Sequence, residues 1–313
     1  PKLIKNIMEI DFASIPQSKS KTACKIMKDM RGQVIIITGS SAGIGKETAR
    51  ILAYMGATIV FACRDENKAL PVIQAIQQET KNNNLELIKL NLGDLQSIKD
   101  FAEQFKAKHQ KLDILINNAG VNTPDRRLTK DGFELAFGTN HLGHFYLTSL
   151  LLDMLKKSAP SRVINVSSSY HKGGKMKWDD LMTEKNYGSL DVYNQSKLAN
   201  ILFTKELQRR VAESNIKVVS LHPGIIKTEF SRDFNTTWYW RLFMKMFSVF
   251  QKETIEGAQT SLHCALENFD ALQAGAYYVD CQVQAEAPQA LKEEDQKRLW
   301  EVSEKLISEK IRN

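Results

Sequence analysis

Cysteine is scarce in this sequence of 313 residues, and its four cysteines form no short pair spacing. Cys24, Cys63, Cys264 and Cys281 are spread along the chain, so neither a disulfide framework nor a metal site is predicted. Long hydrophobic runs are missing as well. No apolar stretch reaches the roughly 18 residues of a membrane-spanning helix, and no such helix is expected. The cysteine usage favours a reducing intracellular compartment.

The sequence also has no basic stripe across the body of the chain, which argues against a nucleic-acid partner. The net charge of +7 is concentrated in two segments, residues 1–31 and residues 227–252. Localised basic segments are typical of contact with an acidic membrane surface, of a protein partner or of a targeting remnant. We therefore expect an organellar, mitochondrial or membrane-peripheral location, with peripheral membrane contact.

Short apolar runs alternate with helical patterns after the first thirty or so residues. The run at 33–38 (QVIIIT) is rich in β-branched residues and predicts a buried parallel strand. We predict an α/β fold, a single doubly wound Rossmann domain at 32–313 with a parallel sheet of about seven strands and helices on both faces. A basic extension, either a surface arm or a short helix, precedes it at 1–31. Further strands are predicted at 58–62, 86–90, 112–116, 162–166, 217–221 and 276–279, and helices near 44–55, 66–80, 95–109, 132–157, 192–213 and 257–267.

Three glycines follow the first predicted strand, at the point where the first helix begins. Gly39 allows a tight turn out of the strand, and Gly43 and Gly45 remove side chains where helix and sheet must approach closely. The amides of the next turn, with the helix dipole behind them, suit a pyrophosphate. The alternative interpretation is that the glycines merely build a turn, but their position between a strand and a helix favours a dinucleotide site.

The end of the second predicted strand bears on the choice of dinucleotide. An NAD enzyme usually places a carboxylate just after the apolar run of this strand, whereas an arginine accommodates the 2′-phosphate of NADP. No acid follows the run directly here, and Arg64 is available to bind a phosphate. The alternative is a solvated arginine at a strand end. The sequence favours NADP(H) over NAD(H).

A tyrosine and a lysine stand four residues apart at the start of a predicted helix. Tyr193 and Lys197 would share one face, with β-carbons about 6 Å apart. A neighbouring ammonium favours the phenolate, which would adapt the phenol to acid–base catalysis. Taken alone, the two could be an ordinary exposed pair. The strand that ends at 165–169 brings serine hydroxyls to the same sheet edge, and a serine there can stabilise negative charge on a carbonyl oxygen.

Taken in order, these segments resemble the short-chain dehydrogenase/reductase family. The motifs are TGSSAGIG at 38–45, NNAG at 117–120, NHLGHF at 140–145, NVSS at 165–168, YNQSK at 193–197 and HPGIIKT at 222–228. Within the family, the resemblance is to the branch of the retinol dehydrogenases and WW-domain oxidoreductases. That second resemblance depends on GIGKETA at 43–49, ACRD at 62–65, WDDL at 178–181 and SKLANILFTKEL at 196–207.

The resemblance implies a catalytic tetrad of Asn140, Ser168, Tyr193 and Lys197. Tyr193 would pass the proton and Ser168 would polarise the carbonyl. Lys197 would lower the phenol pKa and hold the nicotinamide ribose, and Asn140 would anchor a water relay. Asn91 departs from the family, which usually has an acid beside the adenine. The expected cofactor contacts are Gly39, Ser40, Ser41, Gly43, Ile44, Gly45, Arg64, Asn91, Leu92, Asn118, Ala119, Gly120, Tyr193, Lys197, Pro223, Gly224, Ile226 and Thr228.

An aromatic segment at about 229–252 is predicted to form a lid over the substrate. Trp240, Phe243, Phe247 and Phe250 would lie on one face of a helix, suited to a membrane interface and a lipophilic substrate. A lid packed on the protein itself, or a subunit interface, remains open. The resemblance also implies dimerisation through the helices at 132–157 and 192–213.

These observations lead to an expected activity. We expect an NADP(H)-dependent alcohol dehydrogenase or carbonyl reductase that acts on a hydrophobic alcohol or carbonyl compound, such as a retinoid or another lipid aldehyde or ketone. One alternative is a structural or regulatory subunit that keeps the cofactor site within a larger, organellar membrane complex. A further alternative is an NADPH-sensing binding module. The expected assembly is a homodimer or a subunit of a larger complex.

Overall fold

The buried run at Val34–Thr38 forms the central strand of a sheet, in a computed structural model that describes residues 10–224 and 254–312. All five of its residues are buried, as expected for a strand covered on both faces. The sheet order is β3-β2-β1-β4-β5-β6-β7-β8. The strands are β1 Val34–Thr38, β2 Thr58–Cys63, β3 Leu85–Lys89, β4 Ile114–Asn117, β5 Ser161–Val166, β6 Ile216–His222, β7 Tyr277–Val279 and β8 Gln282–Gln284.

The first seven strands are parallel, and β8 adds an antiparallel edge that the sequence did not predict. From β1 the chain adds β2 and β3 on one side, and after β3 it crosses to the other side of β1 to form β4. Ligands of such sheets bind at this switch point, outside the carboxyl ends of the strands. The fold therefore directs attention to the ends of β1 and β4.

Helices cover both faces of the sheet, which confirms the predicted doubly wound α/β fold. The helices α3, α5, α6 and α8 share one buried apolar cluster with the sheet, and α1, α2 and α7 share the other. A π-helical segment at Gly138–Leu142 joins α4 to α5. The helices are α1 Gly43–Tyr54, α2 Glu66–Thr80, α3 Leu95–Lys108, α4 Leu135–Phe137, α5 Gly143–Lys157, α6 Ser189–Arg210, α7 Thr254–Leu266 and α8 Glu293–Arg312.

The described part of the amino-terminal arm lies against the body of the protein. Ile15, Cys24 and Met30 are buried in the apolar cluster that also contains α1 and α7. The Cys24 amide donates to Gln259 Oε1 on α7 at 3.0 Å. The only helical turn of residues 10–31 is a 3₁₀ turn at Phe12–Ser14.

The carboxyl-terminal helix α8 was not predicted from the sequence. It packs on α5 and α6, the helices expected to form a dimer interface. The Trp300 ring lies 4.8 Å from that of Phe145 and 6.0 Å from that of Phe203, and the Arg210 guanidinium stacks on it at 4.2 Å. The chain's own helix therefore covers this aromatic face.

Two further expectations concern membranes. None of the helices within 10–224 and 254–312 combines the length and apolar character that a bilayer-spanning helix requires. The predicted aromatic lid at 229–252 lies outside the described residues.

Candidate active site

The turn after β1 is held tightly against the end of β4. Gly39 has a φ of +67°, and a β-carbon there would lie 3.0 Å from the Ala119 Cα. At Gly45, a β-carbon would lie 2.5 Å from Asn118 Nδ2 and 2.7 Å from the Gly39 carbonyl oxygen. The two glycines therefore serve the tight turn and the close approach that the sequence predicted. This cradle at the start of α1 fits the pyrophosphate of a dinucleotide.

The third glycine differs from its expected role. Gly43 has a φ of +56°, but among the described residues no atom beyond its own helix turn and its neighbours in sequence lies within 4 Å of where its β-carbon would be. Glycine is therefore needed here for the backbone conformation rather than for close packing. Ser40 is fully buried and its hydroxyl donates to the Ile37 carbonyl, whereas Ser41 and Ile44 are half-buried at the turn.

Thr38, the last residue of β1, joins the cradle to β4. Its hydroxyl oxygen accepts the amides of Asn118 and Ala119, both at 2.9 Å. The Asn118 side chain donates to the Thr38 carbonyl at 2.8 Å. The predicted contacts Asn118 and Ala119 therefore lie directly beside the glycine turn, and the exposed Gly120 follows them.

Arg64 lies at the carboxyl end of β2, next to this crevice. Its side chain is exposed and has no hydrogen-bond or ion-pair partner within residues 10–224 and 254–312. Asp65, by contrast, begins α2 as its N-cap and accepts the Lys68 amide, so its carboxylate is turned to the helix. Arginine is the side chain that this strand end offers to a ligand.

The end of β3 contributes the loop that contains Asn91 and Leu92. Asn91 Oδ1 accepts the Gly93 amide at 3.1 Å, and the Asn91 amide donates to Ser97 Oγ. Leu92 is 7% exposed, and its carbonyl lies so close to Gly143 that a β-carbon there would lie 2.4 Å away. This loop packs closely against the start of α5.

Three of the four tetrad residues meet where β5 ends and α6 begins. A hydrogen bond joins the side chains of Ser168 and Tyr193. Lys197 Nζ lies 5.6 Å from the centre of the Tyr193 ring and donates to the Val166 carbonyl at 3.1 Å. All three side chains are at least nine-tenths buried. The predicted i, i+4 pair therefore exists, as a buried pair.

Asn140 lies in the π-helical segment and is fully buried. Its Nδ2 donates to Ser196 Oγ on α6 at 3.0 Å and to the Val121 carbonyl at 2.9 Å. Its Oδ1 accepts the Val121 amide at 2.8 Å. Gly120 lies next to both side chains, since a β-carbon there would be at ordinary contact distance, 3.4 Å from Lys197 Nζ and 3.6 Å from Asn140 Oδ1. The side chain of Asn140 thus links the loop after β4 to α6.

The electrostatics of the pair differ from the expectation that Lys197 lowers the phenol pKa. Burial raises the pKa of Tyr193 well above its ordinary value of 10, and the hydrogen bond from Ser168 opposes this only in part. Burial also lowers the pKa of Lys197 from 10.5 to about 8. Desolvation therefore dominates for both groups, and the phenol keeps its proton at neutral pH.

Two neighbours of the tetrad were not singled out from the sequence. Tyr170 is 52% exposed and its ring stands edge-on to that of Tyr193, with centroids 6.0 Å apart. His144 is buried behind Asn140 and contacts its main chain. The motif NHLGHF contains this histidine, but a sequence motif does not say which way a ring points.

The segment after β6 is described only in part. Pro223 and Gly224 are half-buried, and Gly224 has a φ of +91°. The remaining predicted contacts of this segment, Ile226 and Thr228, lie outside the described residues.

Comparison with known proteins agrees with this geometry. The family model for short chain dehydrogenases matches residues 33–238. The chain belongs to this family. As a short-chain dehydrogenase, it is an oxidoreductase of a family that uses nicotinamide cofactors.

It is 44% identical to mouse retinol dehydrogenase 12 over 303 residues, which cover 96% of this chain and 95% of the relative. It is also 44% identical to human retinol dehydrogenase 11 over 296 residues, 93% of this chain and 92% of that protein. These relatives place this short-chain dehydrogenase in the retinol dehydrogenase branch.

Solved structures support the same fold. An uncharacterized protein from Mycobacterium paratuberculosis is 33% identical, with a TM-score of 0.74, and the match covers 90% of this chain and 96% of that one. Salutaridine reductase from Papaver somniferum has a TM-score of 0.61 at 21% identity, over 79% of this chain and 99% of that one. The second likeness concerns the fold alone.

Proposed function

We propose that the protein is an NADP(H)-dependent oxidoreductase that interconverts a lipophilic alcohol and its carbonyl compound. The observation that supports this most strongly is the buried contact between Tyr193 and Ser168, with the Lys197 ammonium 5.6 Å from the phenol ring. This group lies at the carboxyl edge of the sheet, next to the glycine cradle between β1 and β4. A proton donor and a hydroxyl therefore lie beside a site that fits a dinucleotide.

Each residue has a role that its surroundings suggest. A bound nicotinamide supplies or accepts the hydride. Ser168 donates a hydrogen bond to the substrate carbonyl oxygen, where negative charge develops during reduction. Tyr193 holds its proton at neutral pH because it is buried, and transfers it to the same oxygen. Lys197 places a positive charge beside the phenol and stabilises the phenolate left behind.

The preference for NADP(H) rests on the end of β2. The exposed Arg64 guanidinium can form charge-assisted hydrogen bonds with a 2′-phosphate. The carboxylate of Asp65 is engaged by the first turn of α2, so it does not compete for a ribose hydroxyl. This combination favours the phosphorylated dinucleotide.

The proposed substrate class rests on similarity. The relatives at 44% identity are named retinol dehydrogenases, and retinol is a long-chain apolar alcohol. We therefore propose a retinoid or another lipid aldehyde or ketone. The half-exposed ring of Tyr170 beside Tyr193 offers an apolar surface to such a molecule. No described contact favours the alternative of a structural subunit.

The test is a screen of retinoid, aliphatic and aromatic carbonyl compounds with NADPH and NADH side by side. Tyr193→Phe should lower kcat by roughly 10²–10⁴-fold, the usual contribution of a general acid. The NADPH dissociation constant should stay within a few-fold. Tyr54→Phe is the control, because this tyrosine, at the opposite end of α1 from the glycine turn, donates to Glu79 on α2 and should not affect turnover. Full turnover by Tyr193→Phe would refute the assignment.

A further inference from the structure

His144 lies in the first turn of α5 and is 2% exposed. Both nitrogens of its ring are engaged. Nε2 lies 2.9 Å from Thr38 Oγ1, at the end of β1, and Nδ1 lies 3.0 Å from the main-chain oxygen of Asn140. One imidazole therefore contacts both the dinucleotide cradle and a member of the tetrad.

The hydrogen bonds around the ring fix its tautomer. Thr38 Oγ1 already accepts the amides of Asn118 and Ala119, and its own proton has two acceptors within reach, His144 Nε2 at 2.9 Å and the Ile116 carbonyl at 3.5 Å; the shorter contact directs it to His144. The Asn140 carbonyl can only accept, and His144 Nδ1 must therefore carry the proton. The result is one directed chain of hydrogen bonds, from the loop after β4 through Thr38 and His144 to Asn140.

The ring is suited to this role because it stays neutral. Burial lowers the pKa of His144 from 6.5 to about 4, and the positive charge of Lys197 acts in the same direction. A neutral imidazole offers one donor and one acceptor, which is the combination that these two neighbours need. A charged ring would donate from both nitrogens and would compete with the Thr38 proton.

The position of Asn140 matters beyond its own contacts. Its side chain donates to Ser196, whose hydroxyl in turn donates to the Tyr193 carbonyl. Displacement of the Asn140 main chain would therefore disturb the helix turn that carries the proton donor. The His144 ring contacts this main-chain carbonyl directly and holds it in place.

We propose that His144 is a positioning residue that couples the cofactor cradle to the catalytic group, with its Nε2 end serving cofactor binding and its Nδ1 end serving turnover. This inference rests on the function proposed above. It predicts that the two ends of the ring can be separated by substitution.

Two variants each keep one end of the ring. The amide nitrogen of Asn occupies the place of Nδ1, so His144→Asn can still donate to the Asn140 carbonyl. The amide of Gln reaches the place of Nε2, so His144→Gln can still accept the Thr38 proton. His144→Leu keeps neither.

We expect His144→Asn to keep kcat within about threefold of the wild type and to raise the NADPH dissociation constant by about tenfold, the order of one hydrogen bond. His144→Gln should show the reverse, with a near-normal dissociation constant and about tenfold lower kcat. His144→Leu should show both losses. If His144→Asn and His144→Gln change kcat and the dissociation constant in the same proportion, the ring acts only by packing and the proposal is wrong.

A second measurement on the wild-type protein does not depend on activity or on the folding of variants. Selective ¹⁵N labelling of the six histidines, with the His144→Asn spectrum for assignment, reports which ring nitrogen carries the proton. The proposal requires the Nδ1–H tautomer of His144 at neutral pH, and an Nε2–H tautomer or a charged ring would overturn it. Absence of turnover by the wild type would refute the proposed function. The NMR result and the dissociation constants would still decide the role of His144.

Discussion

The buried ammonium of Lys197 should destabilise the folded protein in the absence of cofactor, so its replacement by a neutral side chain should raise stability while abolishing turnover. Lys197 is 3% exposed, and burial alone accounts for the lowering of its pKa. Lys197→Met keeps the unbranched chain and removes the charge. The prediction is that a lysine proposed to act in catalysis lowers the stability of the folded protein.

The magnitude follows from the pKa. A decrease from 10.5 to about 8 corresponds to about 3 kcal/mol in the free energy of unfolding at pH 7. The variant also loses the hydrogen bond to the Val166 carbonyl, a contribution of about 1 kcal/mol. That carbonyl keeps a donor in Asn200 Nδ2 at 3.1 Å, so it is not left unpaired. The net gain is about 2 kcal/mol, or about 3 °C in Tm for a chain of this length.

The pH dependence gives the prediction a second signature. Between pH 8 and pH 10.5 the unfolded chain binds a proton at Lys197 that the folded protein does not. The contribution of this group to stability therefore rises with pH across that window. The variant lacks this effect, so its advantage at pH 7 should shrink by pH 10.

Thermal unfolding of the cofactor-free wild type and variant at pH 7 and pH 10 is the assay. Lys99→Met is the matched control, because Lys99 is exposed on α3 and its loss should change stability by less than about 0.5 kcal/mol. A Lys197→Met protein that melts at or below the wild-type temperature at pH 7 would refute the reasoning. So would an advantage that is unchanged at pH 10.

Three further predictions concern the cofactor site and the pH profile. Arg64→Leu should raise the dissociation constant for NADPH by roughly 10- to 100-fold, because one or two charge-assisted hydrogen bonds are lost. The dissociation constant for NADH should stay nearly unchanged in the same fluorescence titration. An equal effect on both cofactors would contradict the assignment. Gly45→Ala would place a methyl group 2.5 Å from Asn118 Nδ2, so we expect the free energy of unfolding to fall by about 1–3 kcal/mol and NADPH to bind more weakly. A melting curve like that of the wild type would count against the close approach. Because the Lys197 ammonium loses its proton near pH 8, kcat/KM should fall as the pH rises through that value, whereas a constant kcat/KM up to pH 9.5 would show that the charge is not needed.

The sheet and the cradle could be predicted because their signals are local. A strand buried on both faces must be apolar throughout, and the run at Val34–Thr38 has that pattern. A turn with positive φ favours glycine, as at Gly39, and a close approach of two backbones requires it, as at Gly45. Both positions could therefore be predicted from the sequence. Every predicted strand is present within a few residues of its expected position.

Other features depend on tertiary contacts that a sequence pattern does not contain. In α8, the buried Leu299, Trp300 and Ile307 are separated by many charged residues, so the apolar pattern in the sequence is weak. The structure shows the helix by the apolar face that it packs on α5 and α6. The shift of the Tyr193 pKa is upward because the side chain is buried, whereas the spacing in the sequence predicted a downward shift caused by Lys197. The contacts of His144 likewise require the coordinates of two separate elements.

The position of α8 has a consequence for self-association. Trp300 fills the aromatic surface of α5 and α6 that a second copy of the chain would otherwise be expected to occupy. A symmetric pairing through that surface would first require α8 to detach. Detachment would break the stacking of Arg210 on Trp300 and the hydrogen bond from His141 to Ser303. With α8 in place, two copies of the chain can pair through α5 and α6 only on faces that this helix leaves uncovered.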